Sequence, residues 1–209
     1  MDSLLNNLNA EQLAALPLPA QSALILAGAG SGKTRVLTTR IAWLLKTGQV
    51  STNSILAVTF TNKAAQEMRE RINRIAGFGA EAVWVSTFHS ACARILRRYA
   101  ERIGYGQNFS IYDTDDSKLI MKNVLGVMEA DPKKFTPKRV LSAVSSYKNK
   151  GLTPDAAAQD AVTSDDEIIA EAFRMYEKRL FENNAMDFDD LLLRAVDLFN
   201  KAPDVLAGY

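Results

Sequence analysis

The chain predicts an α/β fold in which a parallel sheet with crossover helices is followed by a helical segment. Three observations carry that prediction. Strand and helix signals alternate through residues 22–103, the periodicity is almost wholly helical after Gly104, and the glycines fall at element boundaries. Residues Ser22–Ala27 read as a first strand, with Leu24, Ile25 and Leu26 as a buried apolar run. Lys33–Lys46 reads as a helix with Gly48 past its end, and Ile55–Phe60 as a second strand. A helix then starts at Thr61 or Asn62, runs to Ala76 and stops at Gly77. Ala82–Ser86 is a third strand, followed by a helix from about Phe88 to Ile103, with Gly104 as its terminator.

Beyond a short extended stretch at Phe109–Tyr112, the periodicity predicts helices over roughly 115–129, 137–149, 165–183 and 187–200. Pro132, Pro137, Gly151, Pro154 and Pro203 punctuate them. Ser164, followed three residues later by Glu167, reads as a capping box.

Composition narrows the functional classes. Apolar content of 47% and charged content of 23% are ordinary for a globular protein. Cys92 and His89 are the sole cysteine and histidine, so neither an intrachain disulfide nor a zinc ligand set can form. No apolar run approaches the ~20 residues of a membrane span and the first residues lack signal-peptide character, so the expectation is a cytoplasmic protein without membrane contact. Net charge is +1, but its distribution is uneven. Residues 90–150 carry 12 Lys/Arg against 6 Asp/Glu, whereas residues 151–209 carry 5 against 13. The basic block includes Arg94, Arg97, Arg98, Arg102, Lys133, Lys134, Lys138, Arg139, Lys148 and Lys150. Two readings of it stand open, a solvated face and a polyanion-binding surface.

The sharpest motif is ALILAGAGSGKT, residues 23–34. An apolar strand, a glycine-rich turn and Gly-Lys-Thr opening a helix make a loop suited to a triphosphate. Gly28, Gly30 and Gly32 let backbone N–H groups approach phosphate oxygens. Lys33 supplies a cation for the β/γ-phosphates and Thr34 an oxygen ligand for Mg²⁺. The general pattern has Gly where this chain has Ala27, and the competing reading is a solvated Gly-rich turn. The next two strands end in TFTNKAA and STFHS. In open α/β sheets ligands bind at such carboxyl ends. Phe60 there is either a packing plug or an exposed stacking platform, and Lys63 beside a helix N-terminus suits a backbone phosphate. An apolar strand ending in paired carboxylates, which would complete a hydrolytic site, is not visible. Asp113 ends only a short alternating stretch, and Asp187, Asp189 and Asp190 read as ordinary helix-start acids.

These residues resemble a known family. LNAEQLAAL, LAGAGSGKTR, AVTFTNKAAQEMRERI, VSTFHS and MDFDDLLLRA are similar, in order and spacing, to the N-terminal motifs of superfamily 1A DNA helicases of the UvrD/Rep/PcrA type. The resemblance runs from Leu8 to the end and accommodates Ala27, because the family uses AGAGSGKT.

It implies a partial RecA-like P-loop NTPase sheet over residues 1–89, an inserted helical subdomain over 90–200 and a return to the first domain over 201–209. It implies ATP and Mg²⁺ as cofactors. Gln12 would read adenine, residues Ala27, Gly28, Ala29, Gly30, Ser31, Gly32, Lys33 and Thr34 would hold phosphate, and Arg35 would lie close to the nucleotide. Phe60 would stack on a single-stranded base, with Thr61, Asn62, Lys63, Thr87 and His89 along the DNA backbone.

The implied activity is ATP-driven 3′-to-5′ translocation and unwinding at single-strand/duplex junctions in repair or replication, in a bacterial, nucleoid-associated protein. The chain stops before the family's Asp-Glu motif, so the 209 residues alone are expected to bind nucleotide without hydrolysing it. A small P-loop kinase is the competing enzyme class. It would need an acceptor site, a lid and a catalytic carboxylate.

Overall fold

The computed structural model describes residues 8–18, 23–28, 30–77 and 79–209. It is mixed α/β, mostly helical, and its chain divides into two units, 1–88 and 89–209.

In the first unit, α1 (Ala10–Ala14) is a single turn capped reciprocally by Asn9 and Gln12. Helix α2 (Lys33–Lys46) buries Val36, Ile41 and Ala42. Its Arg40 donates to the carbonyls of Ala15, Leu16 and Leu18 at 2.9, 2.7 and 2.8 Å, which ties the segment after α1 to α2. Strands β1 (Leu56–Thr59) and β2 (Trp84–Thr87) pair in parallel, and α3 (Asn62–Ala76) is the crossover between them. Ala65, Met68 and Ile72 line the buried side of α3 and pack with Ile41, Ala57, Val83 and Val85. Burying side chains of the size of Met68 and Ile72 contributes roughly 1.5–3 kcal/mol each. Arg69 adds a 2.8 Å bond to the Val85 carbonyl.

The expected first strand is not formed. Ser22 lies outside the described residues, and 23–28 have no regular structure. Leu24 and Leu26 are 83% and 84% exposed. A continuous apolar run becomes a strand only with hydrogen-bonding neighbours, and among the described residues this unit's ladder is β1–β2 alone.

Helix α4 (Phe88–Tyr99) starts on the last residue of the first unit; in the second unit it passes into a 3₁₀ turn over Ala100–Ile103 and stops at Gly104, where φ is +88°. The expected single helix to Ile103 therefore tightens in its last turn, a common helix ending. Strands β3 (Ser110–Ile111) and β4 (Ala185–Met186) form a second parallel pair. Between them come α5 (Thr114–Val127), α6 (Pro137–Asn149), α7 (Pro154–Gln159) and α8 (Ser164–Glu182). After β4 follow α9 (Phe188–Lys201) and α10 (Pro203–Ala207). Met121, Val124, Val140, Val144, Phe173 and Leu180 belong to one core shared by α5, α6 and α8.

The caps follow side-chain chemistry. Asp113, Thr136, Thr153, Thr163 and Asp187 each accept a backbone N–H at a helix start. The box ahead of α8 is Thr163 with Asp166, one residue earlier than Ser164 with Glu167, because Thr163 holds the extended backbone that a cap requires. Trp43, Trp84 and Cys92 are half-buried.

Candidate functional site

The glycine-rich loop turns on two left-handed glycines. Gly30 and Gly32 have φ of +75° and +84°, and Gly32 is the N-cap of α2. With no side chain at the cap, no side-chain bond closes the first turn of α2, so its N–H groups and dipole suit phosphate oxygens. A Cβ on Gly32 would lie 3.0 Å from Gln12 Nε2, so glycine here also makes room for Gln12. Lys33 Nζ donates to the carbonyls of Ala27 and Gly28 at 2.8 and 2.5 Å, holding its ammonium across the loop. Ser31 Oγ donates to the Gly28 carbonyl at 2.7 Å. Lys33, Thr34 and Arg35 are exposed at the start of α2, and Ala29 lies outside the described residues. These donors fit a triphosphate, and the exposed Thr34 fits an oxygen ligand to Mg²⁺.

Gln12 lies against this loop. Its Nε2 donates to the Ser31 carbonyl at 3.0 Å and its Oε1 accepts from Asn9 N at 3.1 Å. Both ends of the amide are engaged within the protein, so pairing with a base requires it to release them.

The carboxyl edge of the β1–β2 ladder carries the second group. The register pairs Thr59 with Thr87, so the residues that follow, Phe60 and Phe88, emerge side by side. Their ring centroids are 5.7 Å apart at 47°. Phe60 is 89% exposed and Phe88 44% exposed, so among the described residues Phe60 stands as an open platform and plugs nothing. Thr61 caps α3 by accepting from Ala64 N at 3.1 Å, while Asn62 and Lys63 are exposed on its first turn. Thr87 differs from expectation. It is buried, because the alternation of β2 turns Val85 and Thr87 inward.

His89 belongs to the second unit, on the first turn of α4, and is half-buried. Its ring meets the half-exposed Phe188 edge-on, with centroids 6.1 Å apart at 83°. Phe188 carries only a weak signal in the sequence, an aromatic directly after a capping Asp at the outset of a helix. Cys92 has its thiol pushed up by burial, so the nucleophilic thiolate is disfavoured.

The basic block is only partly a surface. Lys148 is buried at 1% exposure among Glu177, Asp187 and Asp190. Arg97 donates to the Gln107 and Phe109 carbonyls and lies 3.8 Å over the Phe109 ring. Arg102 pairs bidentately with Asp204, and Lys134 and Arg139 pair with Asp165. Lys133, Lys138 and Lys150 stand exposed.

The family model described as UvrD/REP helicase N-terminal domain matches residues 8–209. The chain belongs to this family. It is 47% identical over all 209 residues to a Staphylococcus aureus (strain Mu50 / ATCC 700699) protein named ATP-dependent DNA helicase PcrA, covering 100% of this chain and 29% of the relative. A Staphylococcus epidermidis (strain ATCC 12228 / FDA PCI 1200) protein of the same name is 46% identical, with the same coverage. The chain thus spans 29% of the length of the curated relatives it matches. Among the described residues, no helix is long and apolar enough to cross a membrane.

Proposed function

We propose that this chain is the ATP- and single-stranded-DNA-binding N-terminal part of an ATP-dependent 3′-to-5′ DNA helicase acting in repair or replication. The observation that carries the reading is the exposed Phe60–Phe88 pair at the carboxyl edge of a parallel ladder, in the unit that also holds the glycine-rich loop. Residues 1–89 are part of a RecA-like domain, 90–200 its helical insertion and 201–209 the return. The exposed Leu24–Leu26 run then gains its ladder from neighbouring strands in the longer protein, as the 29% coverage of the relatives allows.

Each residue has a task in this reading. Gly28, Ala29, Gly30, Ser31 and Gly32 wrap the phosphates, and Lys33 exchanges its two carbonyl partners for phosphate oxygens. Thr34 holds Mg²⁺, Arg35 lies by the nucleotide, and Gln12 turns its amide from Ser31 and Asn9 to adenine. Bound Mg·ATP supplies the phosphoanhydride whose cleavage drives the intact enzyme.

Phe60 stacks on an unpaired base, with Asn62, Lys63 and the α3 N-terminus on the adjoining phosphate. His89 and Phe188 offer a further aromatic contact, and Lys133, Lys138 and Lys150 suit the duplex side of a junction. Thr87 is buried, so its part is to support the strand end rather than to reach the backbone with its side chain. The isolated chain binds Mg·ATP but does not turn it over, in a bacterial cytoplasm beside the nucleoid.

The test is titration of a fluorescent ATP analogue with the purified chain and with Lys33→Ala. Magnesium-dependent binding that ATP displaces and that Lys33→Ala abolishes is expected. Equal binding by the variant would remove the loop from the reading.

A further inference from the structure

Lys148 continues the apolar stripe of α6. Val140, Val144 and Lys148 follow one another at four-residue spacing and all three are buried. Its ammonium lies 2.7 Å from Glu177 Oε1 on α8, 2.8 Å from Asp187 Oδ2 at the cap of α9, and 3.0 Å from Asp190 Oδ1 on α9. Arg194 of α9 pairs with the other oxygen of Glu177 and lies 3.5 Å from Asp190 Oδ1. The Tyr176 hydroxyl donates to Asp187 Oδ2 at 3.1 Å. Burying such charges is costly, and a packed apolar side chain at the stripe position would often be as stable or more so. Stability alone therefore does not account for a lysine here.

Geometry does. Asp187 Oδ1 accepts from Asp190 N at 2.9 Å, and Asp187 N donates to Asp190 Oδ2 at 3.3 Å. These two carboxylates form the first turn of α9, and the remaining oxygen of each faces Lys148. The residue directly after Asp187 is Phe188, which meets His89 edge-on.

We propose that Lys148 is a positioning residue for single-stranded DNA. Through Asp187 and Asp190 it fixes where α9 begins, and so holds Phe188 against His89 as a surface for an unpaired base. This rests on the reading of His89 and Phe188 as DNA contacts.

The test combines affinity with a DNA-independent probe of pose. Binding of a fluorescein-labelled oligothymidylate is measured by anisotropy for Lys148→Met, Phe188→Ala, Phe60→Ala and the doubles. Phe188→Ala is expected to weaken binding about five- to 150-fold, and Lys148→Met about three- to tenfold. The Lys148→Met loss should vanish in the Phe188→Ala background and multiply with Phe60→Ala.

4-Fluorophenylalanine placed at position 188 reports pose without DNA, and its ¹⁹F resonance should move in Lys148→Met. Asp187→Asn retains a good helix cap while removing the anion that faces Lys148, and it serves if Lys148→Met does not fold. An unmoved resonance, or a Lys148→Met loss that persists in full without the Phe188 ring, overturns the proposal. If Phe188→Ala and His89→Ala both leave affinity unchanged while the resonance moves, the DNA reading is what fails.

Discussion

Truncating Phe60 to alanine separates two roles that an aromatic at a strand end can play. A ring plugged into the core would cost about 3–5 kcal/mol on truncation. Phe60 is 89% exposed, and its ring pairs with Phe88 at a 5.7 Å centroid separation. Its removal should cost no more than about 0.5 kcal/mol of folding stability, the range of ordinary surface changes. The same ring stacked on a base would contribute roughly 1–3 kcal/mol to binding, a factor of about 5 to 150 in affinity. The assay pairs denaturant unfolding of the first unit with oligothymidylate anisotropy on the same preparations. Ile72→Ala is the internal control. Ile72 is fully buried on α3, so its truncation should cost about 2–5 kcal/mol. Destabilisation of Phe60→Ala comparable to Ile72→Ala, or unchanged DNA affinity, would refute the reasoning.

Other outcomes follow from single contacts. Thr61→Ala removes the acceptor for Ala64 N and should lower stability by about 1 kcal/mol in the same unfolding experiment. Lys63→Ala should reduce the log–log salt dependence of single-strand affinity by about 0.7, the value of one phosphate contact, in anisotropy titrations at several salt concentrations. Around Asp190, Lys148 and Arg194 serve Glu177, Asp187 and Asp190, Arg194 also pairs with Asp197, and burial pushes the Asp190 carboxyl up to about 7 from 3.8. The native state then holds a proton that the unfolded chain releases near 3.8. Relative to Asp190→Asn, stability should fall as pH rises between those values and stay level above about 7, as read from unfolding midpoints across pH.

The alternation around β1, α3 and β2 is legible in the sequence because the amphipathic crossover helix shows its period and is bounded by the Thr61 cap and Gly77. Helices α5, α6, α8 and α9 were legible for the same reason. Strands β3 and β4 have two residues each, too short for a period, so their parallel pairing had no signature and only the extended character near Phe109–Tyr112 could be read. The Leu24–Leu26 run shows the opposite failure, with strand composition but no ladder among the described residues.

At the candidate site, the motif spacing identified the loop and both strand ends. Chemistry by residue type was less reliable for charges. Residue type groups Lys148 with a basic surface, although Val140 and Val144 mark its stripe as buried. Asp187 and Asp190 were read as helix-start acids, which they are, but their second oxygens serve Lys148 across helices, and no local pattern encodes that. Family resemblance gives Gln12 an adenine contact, whereas its place against the loop and its bonds to Ser31 and Asn9 emerge only from the fold.

The proposal most in need of a test is that these 209 residues bind nucleotide and single-stranded DNA as part of a helicase but do not turn ATP over. Steady-state ATP hydrolysis by the purified chain, with and without oligothymidylate and beside the binding titrations, tests it most directly. The account predicts magnesium-dependent ATP binding and salt-sensitive single-strand binding, with hydrolysis at background in both conditions. Robust DNA-stimulated hydrolysis by this chain, or no ATP binding at all, would contradict it.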